Sequence, residues 1–409
     1  MANKGKTLGV FFGSLALVFF ILSFIIPSET SYSGIQNFST STLSTEKVVI
    51  EPEIIHLKTP EPLKGIYMTQ CVAGMPSFRE KLVKLIDETE LNAVVIDIKD
   101  YTGTVAFKTG NEKVDALEGS GCKVPDMQEF VQNLHNRGIY VIGRVTVFQD
   151  PLYVKNYPSE AVKRKSDGGV WRDKKGIAFV DVGSRPFWDY IISIATSSYA
   201  IGFDEVNFDY IRFPSDGNMS DIYFSHTGNV LKKDMLHQFF VYLDARLADS
   251  GLVTSADLFG MATTNTDDLG IGQILEYALM NFDYVSPMVY PSHYPNNFNG
   301  WPDPNKVPYE IVKFSMDAAV ARVKFLQNEI ASTTRFINGE IVNFTPSEKL
   351  LKRINPLQLR PWLQDNDYPV HYTASMIRKQ IQGTYDAGLT SWMLWDPANT
   401  YTEAALLKN

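Results

Sequence analysis

A closed (β/α)8 barrel, an α/β fold in which parallel strands are ringed by helices, is the class that the sequence predicts for residues 64–409. Three observations predict it. Short β-rich apolar runs alternate with longer amphipathic ones, the β-rich runs number eight, and glycine repeatedly ends an amphipathic run just before the next strand. Eight such units in about 345 residues leave room for enlarged loops. An open doubly wound sheet is the rival class, but no G-x-G-x-x-G follows the first strand to build a dinucleotide crevice.

In chain order, MANKGKT (residues 1–7) precedes LGVFFGSLALVFFILSFII (8–26), an uncharged run long enough to cross a bilayer at about 1.5 Å per residue. Pro27, Ser28 and Glu29 follow it directly, with no A-x-A-like cleavage site, so an uncleaved anchor is expected rather than a signal peptide. Lys4 and Lys6 ahead of the run put residues 1–7 in the cytoplasm by the positive-inside bias and everything after Pro27 outside. Residues 27–63 are rich in Ser, Thr and Pro and lack a sustained apolar period, which reads as a linker.

The barrel units then follow. Strands are expected at GIYMT (65–69), NAVVIDI (92–98), YVIGRVTVF (140–148), DEVNFDYI (204–211), LVTSADLFG (252–260), DYVSPMVY (283–290), LRPWLQ (359–364) and TSWMLW (390–395). Helical patterns fall between them at 77–90, 125–138, 185–200, 234–251, 307–330 and 373–388. The connection PSHYPNNFNGWPDPNK, 291–306, is long and of the kind that shapes a pocket.

In this fold the active site lies at the C-terminal ends of the strands, and alternate side chains point into the barrel. That parity turns Val206, Phe208 and Tyr210 towards the helices and Asn207 and Asp209 inward. It also places Asp97 and Lys99 inward, along with Ser255, Asp257, Ser286, Met288, Tyr290, Arg360, Trp362 and Gln364, while Met393 and Trp395 fall at the end of the eighth strand, where the bulges common at barrel rims leave the parity open. Carboxylates at a barrel mouth suit glycoside hydrolysis, which needs one carboxyl to protonate the leaving oxygen and another as nucleophile or base. Asp209 is the first choice for the ionised member. Asp257 is the choice for the proton donor, its pKa raised by burial beside Phe259 or another aromatic, and Asp97 is the third candidate.

Asp100, Asp150, Asp365 and Asp396 are loop candidates, although Asp365 and Asp396 read equally as caps of following turns and Asp97 as an ion pair with Lys99. Arg212 and Lys99 are expected to bind substrate, or in the case of Arg212 to anchor Asp209 by a charge-assisted bond. Tyr290, His293, Tyr294, Trp362 and Trp395 offer flat apolar faces on which sugar rings can lie.

The strings VIDIKDYTG, GFDEVNFDYIRFPSDG, DYVSPMVYPSHY, RPWLQDND and GLTSWMLWDP resemble those of a bacterial family of glycoside hydrolase TIM-barrel domains over nearly all of residues 64–402. The resemblance implies a glycosidase-like barrel acting on a poly- or oligosaccharide. GFDEVNFDYIRFP is also similar, more distantly, to the fourth-strand motif of chitinase-like hydrolases. Asp204 and Asp209 match that motif, but Asn207 replaces the middle acid and Ile211 stands where the catalytic glutamate would be. The arrangement is nearer to α-glycosidase-like barrels, in which an aspartate ending strand four is the nucleophile.

Other classes fit poorly. A net charge of -8 with scattered Lys and Arg gives no nucleic-acid footprint. Six histidines contain no H-x-x-x-H or H-E-x-x-H, two cysteines do not make a structural zinc site alone, and G-x-S-x-G and P-loop strings are absent, so neither metal nor cofactor is expected. Cys71 and Cys122 follow strands one and two on one face of the barrel; a disulfide and two buried thiols are both open readings. A carbohydrate-binding barrel without catalysis, serving envelope structure or adhesion, is the alternative function.

Overall fold

The computed structural model describes residues 54–331, 334–337, 340–343 and 347–409. The expected cytoplasmic segment and the apolar run at 8–26 lie outside the described residues, as does most of the linker. Among the described residues no helix is long and apolar enough to cross a membrane.

Eight parallel strands close into a barrel: β1 (Lys64–Met68), β2 (Ala93–Lys99), β3 (Tyr140–Thr146), β4 (Glu205–Asp209), β5 (Val253–Phe259), β6 (Tyr284–Met288), β7 (Trp362–Gln364) and β8 (Trp392–Trp395). Each pairs with its neighbours in sequence, and β8 closes on β1 through Gly65 opposite Met393. Helices α1 (Pro76–Asp87), α2 (Met127–His135), α3 (Arg185–Ala200), α4 (Lys232–Leu247), α5 (Leu275–Asn281), α6 (Pro308–Ala331) and α7 (Ala374–Asp386) fill the connections. Only a short 3-10 turn, Glu403–Ala405, follows β8.

Two apolar layers hold this together, as strand alternation requires. The outer one packs Val94, Ile96, Val206, Phe208, Ala256 and Leu363 against the helices. The inner one fills the barrel with Tyr67, Val95, Tyr140, Ile142, Trp362 and Met393. A buried ion pair of Arg360 Nη1 with Glu205 Oε2 at 2.9 Å crosses the interior, and Tyr140 donates to the same carboxylate oxygen at 3.2 Å.

Three local features of the strands matter for the site. A bulge in β2 shifts the register between Asp97 and Lys99. Lys99 therefore does not follow Asp97 inward: its Nζ donates to Thr146 O at 2.5 Å, pairs with Asp150 at 2.8 Å and lies beside Phe187 of α3. Pro361 has no N–H to give to a ladder, and β7 is only three residues long. At the end of β4, Tyr210 takes a left-handed φ of 52°, which turns it out of the alternation and onto the cavity wall instead of into the helix layer.

Asp204, just before β4, serves the opposite end of the barrel. Its carboxylate accepts from Leu57 N at 2.6 Å, Val141 N at 2.8 Å and His135 Nε2 at 2.9 Å, which ties residues 54–57 to the fold. Cys71, in a short helix after β1, and Cys122, in the connection after β2, are joined by a disulfide with a Cα separation of 5.0 Å.

Candidate active site

The barrel mouth holds a cavity of about 520 Å³ lined by Arg144, Lys175, Asp209, Tyr210, Arg212, Asp257, Phe259, Met288, Tyr290, His293, Tyr294, Trp362 and Trp395 among others. Asp209 ends β4, and Asp257 stands near the end of β5 with its own strand partner Ser286 on β6. Both carboxyls are almost completely buried, at 5% and 2% exposure.

Their environments differ. Asp257 Oδ1 accepts from Trp362 Nε1 at 2.8 Å and from Asn207 Nδ2 at 2.9 Å, while Oδ2 is 3.9 Å from Arg144 Nε. Burial pushes the Asp257 carboxyl well above the usual carboxylate range, and the negative charge of Asp209 pushes it further the same way. Arg144 and the two N–H donors oppose this without reversing it. With Oδ1 occupied by two donors, Oδ2 is the oxygen left to carry a proton.

Asp209 instead receives a cation. Arg144 donates to Asp209 Oδ2 through Nε at 3.1 Å and through Nη2, and Tyr210 N donates to Oδ1 at 2.5 Å. Arg144 is fixed in turn by Asp97, which accepts from its Nη1 at 2.6 Å and from the Tyr67 hydroxyl. Burial raises the Asp97 carboxyl as well, with Arg144 and Tyr67 working against it. Asp97 thus lies behind Arg144, where it positions the guanidinium.

Arg212 makes no hydrogen bond to Asp209. Its Nη1 donates to Phe213 O at 3.1 Å and Ser215 Oγ at 3.2 Å, and its guanidinium sits 5.1 Å from the ring centres of both Tyr210 and Phe259. The anchoring role expected of Arg212 is filled by Arg144.

The aromatic residues divide. Tyr290 stacks on Trp395 with ring centres 5.2 Å apart, and His293 meets Tyr290 edge-on at 5.1 Å. Trp362 is buried beneath, bonded to Asp257. Tyr294 lines the cavity but directs its hydroxyl to Ser315 Oγ of α6 at 2.8 Å.

The loop acids have structural partners. Asp150 caps a short helix through Tyr153 N at 2.8 Å, and Asp100 bonds Thr102 N at 2.9 Å. Asp365 holds Thr402 Oγ1 at 2.7 Å and its carboxyl is raised by burial to about 6, and Asp396 holds Ala398 N at 2.6 Å. Ile211, at the position of the chitinase glutamate, is buried in the outer core.

Arg144, Tyr67 and Lys175 escaped the reading of the sequence. Arg144 shares its parity with Tyr140 and Ile142 in YVIGRVTVF, so the alternation that found Asp209 also pointed to it. Lys175 sits on an insertion after β3, where no strand pattern reaches. Among the described residues no group of three or more His, Cys, Asp or Glu is arranged to hold a metal ion.

A protein-family model described as "Putative glycosyl hydrolase domain" matches residues 65–336 and 339–401. Among solved structures, the glycoside hydrolase domain of PgaB (BpsB) from Bordetella bronchiseptica is similar over 82% of this chain and 94% of its own, with a TM-score of 0.54 and 14% identity. At that identity the likeness is one of fold. A hypothetical protein from Ruminiclostridium thermocellum ATCC 27405 is 32% identical over 50% of this chain and 98% of its own, with a TM-score of 0.43. The spore cortex-lytic enzyme SleL of Bacillus megaterium QM B1551 is 10% identical, covering 87% of this chain and 73% of its own at a TM-score of 0.45. No curated protein matches the sequence.

Proposed function

Because the chain belongs to the family of putative glycosyl hydrolase domains, we propose that it hydrolyses a glycosidic bond of a poly- or oligosaccharide, with Asp257 as proton donor and Asp209 as the carboxylate facing the cationic transition state. The observation that carries this reading is the opposed setting of the two carboxyls in one cavity. Asp257 is driven towards its protonated form by burial and by Asp209, whereas Asp209 has the Arg144 guanidinium bonded to it. Acid and base roles in glycosidases are divided by environment in this way.

In the proposed reaction the sugar rests against the Tyr290 and Trp395 rings. Asp257 gives its Oδ2 proton to the glycosidic oxygen as the C–O bond breaks. Asp209 stabilises the oxocarbenium-like centre, either by bonding to it or by activating the water that does. The proton of that water returns to a carboxylate, restoring the starting state. Arg144 orients Asp209 throughout, held by Asp97 and Tyr67.

The domain is further proposed to work outside the cytoplasm, tethered by residues 8–26. The apolar run and the lysines ahead of it support this. The Cys71–Cys122 disulfide also supports it, because such bonds persist in oxidising compartments.

The test is a panel of neutral and acidic glycans assayed for new reducing ends with wild-type protein and with Asp209→Asn. Hydrolysis by the wild type, lost by orders of magnitude in the folded variant, is the expected result. Binding without hydrolysis across the panel would replace this reading with that of a carbohydrate-binding barrel.

A further inference from the structure

The cavity wall carries more positive charge than its own carboxylates match. Three cations line it, Arg144, Lys175 and Arg212, in a chain whose net charge is -8. Arg144 is accounted for by Asp97 and Asp209. Arg212 has no carboxylate within ion-pair distance among the described residues, although it is only 9% exposed. Its bonds to Phe213 O and Ser215 Oγ both use Nη1, and burial depresses its pKa.

The acids nearest to Arg212 do not close the gap. Asp209 is taken by Arg144, and Asp173 directs Oδ1 to Lys175 N at 2.9 Å and Ile177 N at 2.8 Å. Asp216 acts on Arg212 only at a distance. Lys175 is exposed at the tip of the turn that Asp173 holds, and its ammonium has no ion-pair partner among the described residues.

A buried guanidinium with donors to spare is costly unless something accepts from it, and a carboxylate fits its planar fork with two parallel bonds. We propose that the cavity takes a sugar bearing an acidic substituent, a uronic acid unit, whose carboxylate is received by Arg212 with Lys175 closing over it. This specificity rests on the glycosidase reading of the same cavity. The ring of the acidic sugar would meet the face formed by Tyr290 and Trp395, while Phe259 and Tyr210 flank Arg212 and exclude water from the ion pair.

The experiment uses the full chain and matched glycan pairs. Oligogalacturonate, oligomannuronate and hyaluronan oligosaccharides are each offered beside their carboxyl-reduced neutral forms. Binding is followed by calorimetry and reducing-end release is measured in parallel. At least one acidic member should bind roughly tenfold or more tightly than its neutral partner, as a charge-assisted pair predicts. Lys175→Ala, at an exposed position, should shrink that preference. Arg212→Gln should abolish the preference and Arg212→Lys should retain part of it.

Equal affinity within every pair, or no binding of any acidic member, overturns the inference. So does a preference that survives both Lys175→Ala and Arg212→Gln. Hydrolysis of neutral glycans without acid preference would sink this specificity and leave the glycosidase reading intact. Acid-selective binding that depends on Arg212, with no hydrolysis of any member, would do the reverse.

Discussion

Asp257 makes stability depend on pH, and the sign follows from the direction of its shift. Its folded pKa lies well above the ordinary value of 3.8, so between the two the unfolded chain releases a proton that the folded chain keeps. The stability contributed by the protonated carboxyl is complete below that ordinary value and is lost as pH rises through the folded pKa. Asp257→Asn should therefore gain on the wild type in melting temperature as pH rises from about 4 towards neutrality, and a constant gap across that range would contradict the assignment. Arg144 has the opposite character. Removing it strands the buried Asp97 and Asp209, so Arg144→Met should cost about 3–5 kcal/mol in urea denaturation. Arg144→Lys should also lose stability, because one ammonium does not reproduce the fork. At this scale the sequence was legible where a strand's alternation is clean: Asp209, Asp257 and Trp362 all face the interior as parity requires. It misled where the backbone breaks step, at the β2 bulge that removes Lys99 and at Tyr210, whose positive φ turns it to the cavity. Nothing in residue type marks either position.

Among the elements, the insertion after β3 and the loop after β4 join into a roof beside the mouth. Lys163 and Arg164 pair antiparallel with Tyr223 and Ile222, over a small core of Val162, Trp171 and Phe179. Buried Asp181 holds the two loops together, accepting from Gly183 N at 3.0 Å, His226 N at 2.8 Å and Thr227 N at 3.1 Å. Asp181→Ala leaves those N–H groups unpaired, so it should destabilise by about 3 kcal/mol or more and open this region to limited proteolysis before the barrel unfolds. The disulfide clamps a second pair of loops across a sequence separation of 51 residues, and Cys71→Ser with Cys122→Ser should lower stability by about 4 kcal/mol on loop-closure grounds. All eight strands were readable because each has its own apolar run. Helix α5 was not, since its seven residues are too few to display a helical period. The roof was invisible for a related reason: its strands are two residues long and are created by pairing between distant loops.

For the whole molecule, the sequential closed barrel explains why carboxyls from β4 and β5 meet at one mouth although 48 residues separate Asp209 from Asp257. The proposed tether predicts that protease added to intact cells digests the barrel, whereas full protection with a protease-permeable envelope would reject it. The central claim concerns the division of labour between the two carboxyls, and leaving-group dependence tests it most directly. Asp209→Asn and Asp257→Asn, each confirmed as folded, would be compared on a glycan that the wild type hydrolyses and on the dinitrophenyl glycoside of the same sugar, whose leaving group needs no proton. Asp257→Asn should lose roughly 10²–10⁴-fold on the natural bond and little on the activated one, as for a missing general acid, while Asp209→Asn should be crippled on both. Equal losses of Asp257→Asn on the two substrates, or near wild-type rates in Asp209→Asn, would contradict the account.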